Sequence, residues 1–262
     1  MPGDDQMRQS GKTSMGGTKN AFQTTHWSEI RNARTHDEAQ RRIIIDGLIK
    51  KYWKPIYCYL RRKGYGNESA KDLTQGFFYE IVLGKDIVQQ ADEARGRFRT
   101  FLLTALNHYI TSVHRANVAG KRHPKYGVVS LEEFDEESMS LAAKDMKPED
   151  VFTYVWASVL MDDVLAEVKE CCIRDGKRIH WEVFQARVLE PIIGGVEPHP
   201  VSELCKRFGI ESKAMVSNMI VTVKRRFQAA MSSRVRQHVD SDEEVKQEIR
   251  DLMKILSKNY AS

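Results

Sequence analysis

Between Val201 and Phe227 two runs of apolar residues repeat at helical spacing, with a single glycine between them. Val201, Leu204, Cys205 and Phe208 form the first run, Gly209 interrupts it, and Met215, Met219, Val223 and Phe227 form the second. Residues three and four apart share a side only on a helix, so this stretch is expected to fold as two helices, each burying one stripe. The second run passes through Lys224, Arg225 and Arg226. A short helix, a glycine turn and a longer helix with a basic end make up the helix-turn-helix, which lays its second helix in a DNA major groove. Ordinary helical hairpins show the same pattern, so the residues upstream carry much of the weight.

Those residues are helical too. The spacing predicts a short helix capped by Thr24 and Thr25 and carrying Trp27 and Ile30, then a longer one from Asp37 to Arg62. Leu48, Tyr52, Trp53, Ile56, Tyr57 and Leu60 form its inner rows, and Pro55 implies a kink or a restart. Asn67 is placed to cap a helix over about 68–83, and further helices are predicted over about 98–117, 149–174, 178–190 and 242–256. Pro191 with Gly194 and Gly195 is expected to break the run before the helix-turn-helix. No stretch of useful length alternates with the period of a strand, so the fold class is all-α.

Charge divides the 262 residues into blocks that the net value of +5 conceals. From Arg95 to Ser130 there is no acidic residue, yet Arg95, Arg97, Arg99, Arg115, Lys121, Arg122 and Lys125 all fall there. Leu131 to Asp150 reverses the sign, and Val201 to Val239 is basic again. Such alternation suggests two modules facing an anionic polymer, joined by an acidic connector. The expected organisation is a disordered start over 1–20, a helical domain over 21–125, an acidic linker over 126–150, a second helical domain over 151–240 and a terminal amphipathic helix over 241–262.

The helix over 98–117 is the second nucleic-acid candidate. Phe101, Leu102, Ala105, Leu106, Tyr109, Ile110 and Val113 share one side, while Thr100, Thr104, Asn107, His108, Thr111, His114 and Arg115 share the other. Short donors and acceptors with one cation suit base edges and phosphates better than the mixed Glu and Lys of a solvated side. Arg95, Arg97 and Arg99 lie at its entrance, where free backbone N–H groups also favour phosphate. On the helix before it, Leu73, Phe77 and Ile81 point inward, and Asp72, Gln75 and Tyr79 form an outward patch suited to docking a protein.

Other classes find little support. No HExxH, P-loop, GxSxG or paired CxxC motif occurs, so neither catalysis nor a cofactor is expected. Cys58, Cys171, Cys172 and Cys205 have no metal-ligand spacing and read as buried thiols in a reducing compartment. No apolar run is long enough to insert into a membrane, and the first residues lack the apolar core of a secretory signal. A cytoplasmic location is the expectation.

Taken together, the chain resembles the bacterial sigma-70 superfamily, in particular the larger extracytoplasmic-function (ECF) factors with long linkers. The block from Tyr52 to Tyr57, then Arg61 to Tyr65, then Asp72 to Gln75 with Phe77 and Phe78, looks like conserved region 2. Arg95 to Phe98, Phe101 and Leu102, followed by Asn107 and Arg115, looks like the promoter-melting helix. Glu203 to Gly209 with Ser217 looks like the region-4 helix-turn-helix.

The resemblance implies a non-catalytic partner of core RNA polymerase, touching its β′ clamp and β subunits and directing it to promoter DNA. An anti-sigma or other regulatory protein fits the family as a further partner. Carried to matching positions, Asp72 and Gln75, with Tyr79 beside them, would meet the clamp. Asn107, His108, Thr111 and Arg115, with Arg95, Arg97 and Arg99, would face the melted promoter segment, where protein contacts compensate lost base stacking. Lys213, Ser217 and Asn218 would meet base edges of the upstream element, and Lys224, Arg225 and Arg226 its phosphates. Two departures stand out: Gly76 replaces a frequent acid, and Val216 and Val221 replace frequent cations. The alternative is a stand-alone helix-turn-helix regulator with a helical interaction domain.

Overall fold

The computed structural model describes residues 38–80, 98–118, 146–236 and 242–260, and every regular element among them is helical. In chain order these are α1 (Glu38–Arg62), α2 (Asn67–Phe77), α3 (Phe98–Val118), α4 (Pro148–Arg174) and α5 (Arg178–Phe184). They are followed by α6 (Glu190–Gly194), α7 (Val201–Phe208), α8 (Lys213–Arg236) and α9 (Asp242–Tyr260). The expected opening segment, the helix carrying Trp27, Arg95, Arg97 and most of the acidic linker lie outside the described residues.

One local expectation, at Asn67, is corrected, and those at Pro55 and Pro191 are narrowed. Helix α1 runs through Pro55 without a restart. The missing N–H removes one ladder bond, but Tyr52, Ile56, Tyr59 and Leu60 around it are all 1% exposed or less, and their burial holds the helix together. Asn67 is not a cap: α2 starts at Asn67 itself after an extended Gly66, and the Asn67 side chain accepts a hydrogen bond from the Tyr57 hydroxyl at 3.0 Å. Pro191 does not break the chain either. A π-helical turn over Gln185–Leu189 precedes it, widening the backbone where a proline ring would clash with the carbonyl four residues back. The run ends only at Gly195, whose φ of 59° is left-handed and suits glycine.

The main core draws on both sides of the connector. Helix α4 packs along α1 and also meets α8, α5 and α9. Tyr52 of α1 lies edge-on to Phe98 of α3 at 5.7 Å and stacked near Phe152 of α4 at 6.4 Å, while Phe77 of α2 meets Tyr109 of α3 at 5.8 Å. Val164 and Val168 of α4, Val223, Met231 and Val235 of α8, and Val245 and Leu252 of α9 belong to the same apolar cluster. Arg234 of α8 is buried and fastened to Glu167 of α4 through Nε at 3.1 Å and Nη2 at 2.5 Å. A smaller core of Val183, Ala186, Leu204, Ile210 and Val216 joins α7 to α5 and α8, and Ile220 borders both clusters.

Candidate nucleic-acid interface

Helix α3 has the two-sided character its sequence predicts. Phe98, Leu102, Leu106, Tyr109 and Ile110 are buried, and Thr100, Thr104, His108, Thr111, His114 and Arg115 are exposed. Burial, with the Glu80 carboxylate second, pushes the Tyr109 phenol well above its ordinary range and keeps it neutral inside. On the open side Thr104 donates its hydroxyl proton to the Thr100 carbonyl at 3.0 Å, and Thr111 donates to the Asn107 carbonyl at 2.8 Å. With their protons used on the helix, both threonines present lone pairs outward and suit base amino groups better than phosphates. Arg115 is the exposed cation of that stripe.

Asn107 and Arg99 sit differently from the expectation. The Asn107 amide donates to the Leu103 carbonyl at 3.1 Å, and its oxygen accepts from the Tyr59 hydroxyl at 2.8 Å and the Lys63 ammonium at 3.0 Å. Its oxygen and one of its amide N–H groups are engaged within the protein, and the oxygen pins α3 to α1. Glu149 of α4 approaches the same Tyr59 hydroxyl at 3.5 Å, so three helices meet there. Arg99 is not an open helix entrance. Its side chain is 11% exposed, its guanidinium lies 4.6 Å over the Trp156 ring, and it pairs with Glu248 of α9.

The helix-turn-helix is formed by α7 and α8. Gly209, at φ 64°, turns the chain out of α7, and Ser212 starts α8 by accepting the Met215 N–H on its hydroxyl oxygen at 3.2 Å. The inner stripe of α8 departs from the expected one only at its start: Met215 is exposed and Val216 is fully buried among Leu204 and Ile210, while Met219, Val223 and Phe227 pack inward as the spacing predicts. A charged side chain at position 216 would therefore enter the smaller core, which accounts for the valine. The outer stripe carries Lys213, Ser217, Asn218, Val221, Lys224, Arg225 and Gln228, all exposed. Helix α8 contains no acidic residue over its 24 positions.

Arg226 leaves that stripe. It is partly buried and pairs with Asp175 at the end of α4 at 2.8 Å, with the Cys172 sulfur 4.0 Å away. Burial pushes the Cys172 thiol up despite the nearby guanidinium. Burial, then Lys177 and Arg226, pushes the His180 imidazole down.

On α2, Asp72 is exposed and Gln75 partly so, opposite buried Ala70, Thr74 and Phe77, and Tyr79, just past the end of α2, is exposed. Gly76 also faces inward, so an acid at that place would not have added to the outward patch. The internal roles of Tyr59, Lys63, Ser212 and Glu248 escaped sequence reading; only the serine before an apolar run carried a local signal, that of a helix cap.

No group of residues suited to hold a metal ion occurs among the described residues, and no helix there is long and apolar enough to cross a membrane. The four cysteines are free thiols. The chain matches no family model, no curated protein and no solved structure.

Proposed function

We propose that this chain is a promoter-recognition subunit of RNA polymerase of the ECF sigma type. The observation that carries the reading is the pair α3 and α8. Both helices lack acidic residues, both are seated by an apolar stripe, and both turn a polar stripe outward. A side without carboxylates is what a polyanion requires, because each carboxylate facing a phosphate costs Coulomb energy and gains no hydrogen bond.

In this reading Asp72, Gln75 and Tyr79 dock on the polymerase clamp. Thr100, Thr104, His108, Thr111 and Arg115 receive the melted strand. Lys213, Ser217 and Asn218 meet base edges in the upstream major groove, where exposed Val221 suits a thymine methyl. Lys224 and Arg225 take phosphates. Asn107 and Arg226 pass from the contact set to the scaffold that orients it.

In vitro transcription with purified core polymerase on a library of promoter templates tests the proposal. Initiation that depends on the chain and weakens in Asp72→Ala supports it. A chain that shifts duplex DNA alone but neither binds core enzyme nor directs initiation is a stand-alone regulator. Failure of both activities removes the DNA-binding reading altogether.

A further inference from the structure

Helices α3 and α8 each give one arginine to the C-terminal helix. Arg99 of α3 pairs with Glu248 of α9, and Arg236 at the end of α8 pairs with Asp242 at the start of α9. The first half of α9 is acidic, with Asp242, Glu243, Glu244, Glu248 and Asp251 against Lys246 and Arg250. Val245, Leu252 and Leu256 seat it in the main core, and it packs on α8 and α4. The two carboxylates thus occupy cations of the acid-free helices.

The Arg99–Glu248 pair is the more informative of the two. The Glu248 side chain is 1% exposed and the Arg99 guanidinium lies over the Trp156 ring. Taking both charges out of water costs about what their attraction returns, so an apolar pair would hold the helices as well. The pair's distinctive effect is to keep a guanidinium away from other anions. A phosphate oxygen and a glutamate oxygen make the same charge-assisted bond to arginine, so one displaces the other.

We propose that α9 is an intramolecular acidic cover that withholds Arg99 from DNA, and that DNA and the seated α9 compete for this guanidinium. The inference rests on the function proposed above. Linkage makes the competition reciprocal: freeing Arg99 strengthens DNA binding, and bound DNA loosens α9.

The test uses the full chain, with and without core polymerase, and a fluorescein-labelled duplex of mixed sequence containing an unpaired segment. Glu248→Gln should bind the DNA about tenfold more tightly than the wild type, and the gain should vanish when Arg99→Gln is added. DNA binding by the wild type with no gain in Glu248→Gln overturns the cover and leaves the function standing. No binding by either protein in either condition overturns both. A readout independent of any variant's folding is hydrogen exchange in the wild type. Amides of α9 should exchange faster with DNA bound while those of α1 do not, and unchanged or slower exchange in α9 overturns the cover.

Discussion

The Tyr59 hydroxyl, on a side chain with no exposure to solvent, donates to the Asn107 side-chain oxygen at 2.8 Å and thereby ties α1 to α3. Lys63 reaches the same oxygen at 3.0 Å and lies 5.1 Å over the Tyr59 ring, so the junction is a small polar network that runs from a buried ring to an exposed ammonium group. Its position fixes where the outward stripe of α3 points. Asn107 resembles a DNA-reading residue by sequence, and its geometry makes it a structural one.

Asn107→Ala leaves the Tyr59 hydroxyl without its closest acceptor and should cost about 1–2 kcal/mol of stability, read as a lower denaturation midpoint. Arg115→Ala, on the exposed stripe, should leave the midpoint unchanged and weaken promoter opening. Equal effects of both substitutions on stability would reject this division.

Neighbouring arginines on α8 should separate in the same way. Arg225 is exposed, whereas Arg226 is paired with Asp175 at 2.8 Å. Arg225→Ala should reduce the slope of log affinity against log salt by about 1, the signature of one lost phosphate contact. Arg226→Ala should leave the slope alone and lower stability by no more than about 1 kcal/mol, as expected for a partly exposed ion pair. Titrations of each variant over a range of salt concentrations decide it.

Introducing a cation on the recognition helix should succeed at one valine and fail at the other. Val216 is fully buried and Val221 is 44% exposed. Val216→Lys should destabilise the chain by about 3 kcal/mol or more, because an ammonium group would be forced into the smaller core. Val221→Lys should fold normally and tighten DNA binding. Paired urea melts and binding curves test both halves.

Acid should favour the fold at one place on α4. Asp163 is half-buried, and burial raises its carboxyl above the ordinary range. Glu167 adds to the rise, while Arg234, Lys51 and Lys54 oppose it without cancelling it. The folded chain therefore binds more protons than the unfolded chain between the ordinary carboxylate range and the raised value. Within that window this group's contribution to stability falls as pH rises. Asp163→Asn should melt higher than the wild type at neutral pH and lose that part of the pH dependence. A lower melting temperature at neutral pH would overturn the assignment.

Helices declare themselves locally, which is why the periodicities of Leu102, Leu106 and Tyr109, or of Leu204 and Val223, already separate inside from outside. At the first turn of α8 the spacing does not separate Met215 from Val216, because both are apolar and only packing against Leu204 and Ile210 chooses between them. The outward polar stripe of α3 was legible for the same local reason, since a residue three or four positions away shares its side.

By itself the chain determined that it is helical, that two of its helices carry no acid, and which of their sides is apolar, because these properties repeat over a few residues. Tertiary structure decided which polar groups on those helices remain open. Asn107 meets Tyr59 across 48 positions of sequence and Arg99 meets Glu248 across 149. No spacing rule reaches that far, and whether a charged or amide group faces water or a partner is set by the helices that close over it.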